Sequence, residues 1–411
     1  MVNSVVVGSS GRFHFNKKGT RFRIFADSRA LGFAPETVYV DAAPGTIRPG
    51  PADDAIDVID AVAKPSYYSD ATGKLRRRPR FPYPPAGRRA TPPVEPRRGH
   101  FDHLQPPSWE FSAAMTYAVI RITLSVWRHF FQLDTMAWHF TATAGPVLQV
   151  HPRVQCANGW SGNGFLEFGF PHFPNRRYRF CENLEVVAHE TGHLIMKAVV
   201  GTMSDDEKSL QYRAHEEAAA DLIALVTTLH FDSVIARVLA DTAGFLFGDN
   251  LLSRFGEWGR GPTALPRRSF NDATLASVRA LDPLTKHALS SPFTGAVYDV
   301  LVGIFVGHLV RRGLLDERVA ARCRHTPGVP VPDLRADFRR AHRGQADQFA
   351  EALRMARDQL GWLLAGAWRR TTTDGLTYGK VLTHLLAADA ELGAGHGALL
   401  AQAFAARGIA A

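Results

Sequence analysis

The pentapeptide His189-Glu190-Thr191-Gly192-His193 constrains the fold of this chain more than any other feature. It lies in an apolar run, between Leu184-Glu185-Val186-Val187-Ala188 and Leu194-Ile195-Met196, which predicts a buried helix. Helical residues four apart share a face, so both imidazoles can reach one metal ion. Two histidines and a further ligand leave a zinc position open for water, whose proton Glu190 can accept. Because so short a motif also arises by chance, an amphipathic helix with solvated or core histidines is the alternative.

A second run, His215-Glu216-Glu217-Ala218-Ala219-Ala220-Asp221-Leu222, supplies candidate partners for these histidines. Alanine and leucine dominate it, which predicts another buried helix, where acids are costly unless they are paired or bound to metal. Glu217 and Asp221 share a face, so Glu217 is the candidate third zinc ligand. Asp221 is the candidate acceptor for the far nitrogen of a ligand histidine. A capping acid beside a solvated acid is the alternative, and Glu216 competes as the ligand although Ala220 denies it an i+4 partner.

The H-E-x-x-H motif followed by E-x-x-x-D resembles the gluzincin group, most closely the thermolysin-like zinc metalloproteases. The resemblance covers about residues 108 to 411. It implies an α+β fold with a small sheet bearing the substrate edge strand, an active-site helix and a mostly helical C-terminal half. It also implies a zinc-dependent metalloendopeptidase in which Glu190 activates a zinc-bound water, and Asp221 orients His189.

Three further segments carry this resemblance and imply roles for their residues. Ala157-Asn158-Gly159-Trp160, followed by Phe165-Leu166-Glu167-Phe168-Gly169, resembles the edge strand, so Asn158 and Gly159 would align the substrate. His287 precedes Tyr298 by eleven residues, as in the family, and would stabilise the oxyanion. Arg268 resembles the arginine that holds a substrate carbonyl. A surface histidine and a solvated arginine pair are the respective alternatives.

The chain also departs from the family pattern. There are 23 residues between His193 and Glu217, more than expected, and an insertion is predicted in the polar stretch 204–208. No cluster of acids follows Asp221, so calcium is not implied and one zinc ion is the expected cofactor. Met196 and Val199 stand where a metzincin would have glycine and histidine.

Composition and turn signals predict the domain organisation. The chain has 411 residues, of which 45% are hydrophobic and 21% charged, an ordinary globular balance. Short β-type runs between proline and glycine turns predict a small β-rich domain of unknown role over residues 1–70. Residues 71–107 contain nine of the 25 prolines among several arginines, which predicts an extended or disordered linker outside any packed core. The metalloprotease domain would span 108–411, with the sheet and active-site helix in 108–200 and a helical subdomain in 201–411.

Charge and hydropathy set expectations for partners and location. The net charge of +9, much of it in the linker, leaves polyanion binding through that segment as one alternative function. A catalytically inactive zinc-binding interaction protein of the same fold is another. The expected partner is a peptide or protein substrate, with no specific nucleic acid; the sequence does not indicate an oligomeric state.

The expected location follows from the apolar segments. The first thirty residues do not resemble a signal peptide, and no apolar stretch is judged long enough to span a membrane. The longest, from Val297 to Val310, is interpreted as a buried helix. The default location is cytoplasmic, with non-classical export as the alternative.

Overall fold

The structure is a computed structural model that describes residues 15–27, 31–59, 92–154, 158–169, 172–173, 176–177, 179–204, 207–255, 267–323 and 331–411. It mixes helices with small sheets, which confirms the α+β class. The chain divides into two compact units. The sheet unit comprises the described residues between 13 and 202, and the helical unit those from 203 to 255 and from 267 onward. The predicted domain boundaries stay a prediction.

The sheet unit begins with an antiparallel pair packed on a long helix. Strands β1 (Thr20–Phe25) and β2 (Pro35–Val40) lie where alternating runs predicted strands. Helix α1 (Trp109–Phe131) follows a Ser108 cap, whose side chain accepts from the Phe111 amide. The Phe25 and Phe111 rings meet edge to face with centroids 5.4 Å apart, so the apolar face of β1 is closed by the helix.

A four-stranded sheet lies in the same unit. Its order is β3-β4-β6-β5, and the first three strands run parallel, whereas β5 pairs antiparallel with β6. All five residues of β6 are buried, while β5 is the terminal strand of this order. The remaining elements of the unit are β3 (Ile56–Val58), α2 (Thr141–Ala144), β4 (Leu148–Val154), β5 (Gly159–Ser161), β6 (Phe165–Gly169), β7 (His172–Phe173), β8 (Arg176–Arg177) and α3 (Leu184–Val199).

Part of the predicted linker belongs to this core. Phe101 is 1% exposed and stacks on Phe22 with ring centroids 4.9 Å apart. Val94 is buried, and its carbonyl accepts from the Gly50 amide at 2.9 Å. The expectation that all of 71–107 stays outside a packed core is therefore wrong for 92–107. An aromatic side chain and a strand-like pairing anchor this stretch despite its prolines. Residues 60–91 lie outside the described part of the chain.

The helical unit is arranged around one long apolar helix, α7 (Lys286–Arg311). It packs against α4, α10 and α12, and its residue Phe293 contacts the rings of Tyr378 and Phe404. Pro292 lies inside this helix, in its second turn. The other elements are α4 (Leu210–Thr228), α5 (Asp232–Thr242), β9 (Arg254–Phe255), β10 (Arg267–Arg268), α6 (Leu275–Arg279), α8 (Glu317–Arg322), α9 (Val331–His342), α10 (Ala346–Arg370), α11 (Tyr378–Leu392) and α12 (Gly397–Ala405).

One helix of the described chain, α7, is long and apolar enough to cross a membrane by length and composition. The sequence prediction that no stretch reaches that length is wrong by this measure. Of its most apolar window, 78% is buried inside the protein, and the core helix of a soluble protein passes the same test. The sharply bent pair α4 and α5 passes only when both are counted as one span, with a bend of 94°.

Candidate metal centre

Helix α3 carries the pentapeptide and begins at a strong local signal. The Asn183 side chain caps it by accepting from the Val186 amide at 3.2 Å. Leu184 and Val187 before the motif and Leu194 and Ile195 after it are buried, as the sequence predicted, whereas Val186 is partly exposed. His189, Glu190 and His193 are each only 8% exposed, so the helix holds three polar side chains in a mostly apolar setting.

The two histidines face each other across one turn of the helix. Their Nε2 atoms are 3.2 Å apart, and the rings are nearly perpendicular at 87°. Two nitrogens bound to zinc at about 2.0–2.1 Å in a tetrahedral arrangement lie about 3.3 Å from each other. The observed separation therefore fits two ligands of one zinc ion. Without a metal, one neutral ring can donate to the other at this distance.

Glu190 lies beside the backbone of strand β5. A Cβ atom added to Gly159 would lie 3.1 Å from Glu190 Oε1 and 3.2 Å from its Cγ, so a larger residue would fit only if the Glu190 side chain shifted slightly. The structure thus brings Gly159 to the predicted general base. The neighbouring Asn158 is exposed, and its carbonyl accepts from the Gly169 amide at 2.9 Å.

In the helical unit, α4 carries the two predicted acids. Ser209 caps this helix by accepting from the Tyr212 amide. Glu217 is 2% exposed and Asp221 is 3% exposed, whereas Glu216 is partly exposed. Of the two adjacent glutamates, Glu217 is therefore the one turned into the core, as its spacing from Asp221 predicted.

The first turn of α7 brings two nitrogen donors to the Glu217 carboxylate. His287 Nδ1 lies 3.1 Å from Oε2, and Lys286 Nζ lies 2.5 Å from Oε1. The predicted oxyanion residue His287 is thus placed at the predicted ligand Glu217. Sequence reasoning missed Lys286. The sequence did contain a signal for such a contact, because two basic residues begin a long helix. The positive end of the helix dipole disfavours cations there, so a nearby acid is expected.

Other buried groups of α4 are tuned by the same apolar surroundings. Burial lowers the pKa of His215 to about 4, so this side chain stays neutral at neutral pH. Burial also raises the pKa of Tyr212 above its usual range, with Glu216 as a smaller cause. Both effects fit a helix that presents few groups to water.

Arg268 is placed differently from the other predicted residues. It lies on β10 with a substantially exposed side chain, and its Nη1 is 3.3 Å from Asp249 Oδ1. Exposed pairs of this kind contribute little to stability. Its predicted contact with a substrate carbonyl stays a prediction.

His189 and His193 on α3 and Glu217 on α4 are each buried, and each is of a residue type that binds metal ions. Two imidazoles and one carboxylate are ligands that zinc accepts, and they leave room for water in a fourth position.

No protein-family model matches the sequence, and no curated protein matches it. Among solved structures, the chain is similar to the precursor of protealysin, a metalloproteinase from Serratia proteamaculans. The two share 16% sequence identity, and the match covers 75% of this chain and 88% of the other. The TM-score is 0.33, a value that does not establish a common fold.

Proposed function

We propose that the protein is a zinc-dependent metalloendopeptidase that hydrolyses peptide bonds. The observation that carries this proposal is the buried histidine pair of α3, with ring nitrogens 3.2 Å apart and Glu190 next to one of them in the sequence. A structural histidine pair needs no buried acid beside it, whereas a metal-bound water needs a base at this position. A thermolysin-like fold of the catalytic region is part of the proposal.

His189, His193 and Glu217 would hold the zinc ion. The metal would act as a Lewis acid toward the substrate carbonyl and would lower the pKa of a bound water. Glu217 is preferred to Glu216 because its carboxylate is buried and Glu216 is partly exposed. Asp221 would accept a hydrogen bond from His189, which fixes the ring tautomer.

The chain's own groups would carry out the proton transfers. Glu190 would accept a proton from the attacking water and pass it to the leaving amine. Its carboxylate lies against the backbone of Gly159, so a substrate added to β5 as a further strand would pass close to this base.

Three residues would contact the substrate away from the base. His287 would donate a hydrogen bond to the oxyanion of the tetrahedral intermediate. Asn158 would help to align the substrate backbone, and Arg268 would hold a substrate carbonyl. Support for these roles comes from the sequence resemblance and, for His287, from its place beside Glu217.

The deciding experiment combines metal analysis with a peptide library. The purified protein is expected to contain about one zinc per chain and to cleave a mixed quenched-peptide library. Cleavage should stop with a chelator and return with zinc. Glu190→Gln should keep the metal and lower kcat by about 10²–10⁴, because the base is lost and the ligands remain.

Glu110→Gln is the matched control, since it makes the same chemical change at an exposed acid of α1. It should behave as the wild type. A zinc-loaded wild type that cleaves no more than Glu190→Gln would leave only the inactive zinc-binding alternative. Binding to a polyanion that disappears when 71–91 is deleted, without any peptidase activity, would favour the linker function instead.

A further inference from the structure

Lys286 contacts a residue that the proposed function uses as a zinc ligand. Its ammonium lies on Glu217 Oε1 while the His287 ring lies on Oε2, so both oxygens of the carboxylate meet a nitrogen donor. The Glu217 side chain is 3% exposed, whereas that of Lys286 is 43% exposed. The lysine therefore reaches from the surface to a buried acid.

The position of Lys286 in its helix makes this contact more than incidental. Thr285 caps α7, and Lys286 is the first helical residue after it. A positive side chain is disfavoured at this end of a helix, and a lysine loses rotamer entropy when it is held. A nearby buried carboxylate offsets both costs, and a buried carboxylate itself requires a compensating charge.

We propose that Lys286 is the counter-cation of Glu217 in the metal-free protein and competes with the metal for this ligand. The inference rests on the proposed function, because it takes Glu217 to be the third ligand. A metal ion must share or displace the ammonium on that carboxylate, and the two positive charges repel each other. The partly exposed lysine can turn to solvent when the metal arrives. Lys286 thus lets the site fold without zinc and weakens zinc binding.

The test measures metal-free stability and metal affinity of the full-length protein, with no need for turnover. Lys286→Met keeps the length of the side chain and removes its charge. After metal removal, its melting temperature should fall by several degrees, because Glu217 has lost a counter-charge. Zinc titrated against a chromophoric chelator should bind about tenfold more tightly than to the wild type, because a nearby like charge is gone.

Two further variants serve as controls. Lys286→Arg keeps the positive charge and should stay near the wild type in both measurements. Lys380→Met removes a charge from the same unit at a lysine that contacts the Asp374 carbonyl, and it should change neither.

The expected outcome is the combination of lower metal-free stability with tighter zinc binding, which a merely structural lysine would not produce. Zinc affinity that is unchanged or weaker in Lys286→Met would overturn the proposal, as would an unchanged melting temperature. Failure of the peptidase proposal is seen separately, in the cleavage assay with Glu190→Gln. Zinc retained at full occupancy in Glu217→Ala would remove the ligand on which both proposals depend.

Discussion

Helices α3 and α4 both bury polar side chains, yet they satisfy them in different ways. On α3 the two histidines face each other, nitrogen to nitrogen, and neutral imidazoles need no counter-charge. On α4 the buried group is an acid, and the basic residues Lys286 and His287 lie on its oxygens. The two histidine nitrogens are close enough to bind one cation, whereas the Glu217 carboxylate is already paired with the Lys286 ammonium. Under the proposed function, the acid rather than the histidines would set how readily zinc binds.

Removal of a ligand from either helix should have the largest effect. His193→Ala and Glu217→Ala are each expected to weaken zinc binding by more than about a hundredfold, beyond the loss caused by an outer-shell partner. Cleavage should be lost with the metal. Without metal, the melting temperatures of the two variants should differ, because Glu217→Ala also removes a buried charge. Metal content and thermal unfolding of the stripped proteins check this, and full zinc occupancy in either variant would refute that ligand.

Loss of His287 should separate metal binding from catalysis. His287→Ala is expected to keep zinc and to lower kcat by about 10²–10³, because one donor to the oxyanion disappears. The assay is kcat on a cleaved library peptide beside zinc content. His103→Ala, at an exposed histidine, is the control. If His287→Ala lost zinc, the His287 ring would be needed together with Glu217 to hold the metal. The oxyanion role would then be refuted.

A methyl group added to strand β5 should displace the Glu190 carboxylate on α3 and leave the acid of α4 unaffected. Gly159→Ala places a Cβ 3.1 Å from Glu190 Oε1, a tight contact that requires the carboxylate to shift by a few tenths of an ångström. We expect kcat to fall about tenfold with zinc content unchanged, because a displaced base transfers protons poorly. Wild-type kcat in Gly159→Ala would show that the position of Glu190 is not set by this strand.

The smallest expected effect concerns a buried histidine of α7, in contrast to the histidine pair of α3. Burial lowers the pKa of His308, on α7, to about 4, and its Nε2 lies 3.1 Å from Gln359 Oε1. The pKa of a histidine in an unfolded chain is about 6.5. Between that pH and about pH 4, the unfolded chain therefore binds a proton at this position that the native state does not bind. The free energy of unfolding should be highest above about pH 6.5 and should decrease as the pH falls toward 4.

Unfolding in urea at several pH values measures this slope. His308→Gln should flatten it by one proton. The remainder comes from the other histidines whose pKa values burial lowers, which are His215, His342, His384 and His396. The exposed His103→Gln should leave the slope as it is. An unaltered slope in His308→Gln would show that this imidazole titrates alike in both states.

The sequence predicted the parts of the site that are local in the chain. Periodicity placed His189, Glu190 and His193 on one buried helix, and it placed Glu217 and Asp221 on another. Each pair is four residues apart, so helix geometry alone sets the shared face. The strands at the N-terminus were predicted for the same reason, since alternation is a local property.

Contacts between distant segments were harder to predict. Lys286 meets Glu217 across 69 positions, and no pattern within either segment specifies the distance between them. The packing of Phe101 on Phe22 likewise depends on a pairing that proline content hides. Side-chain contacts of this kind follow from tertiary packing, which the local periodicity does not encode.

Pro292 gives the helix that carries the two basic residues a mechanical property. Proline has no amide hydrogen, so the carbonyl one turn earlier loses its partner, and the ring crowds that turn. The segment bearing Lys286 and His287 is therefore joined to the buried remainder of α7 by a weakened link. Phe293 and the residues beyond it pack in the core, so the helix is weakest next to its two basic residues and firmest where it is buried.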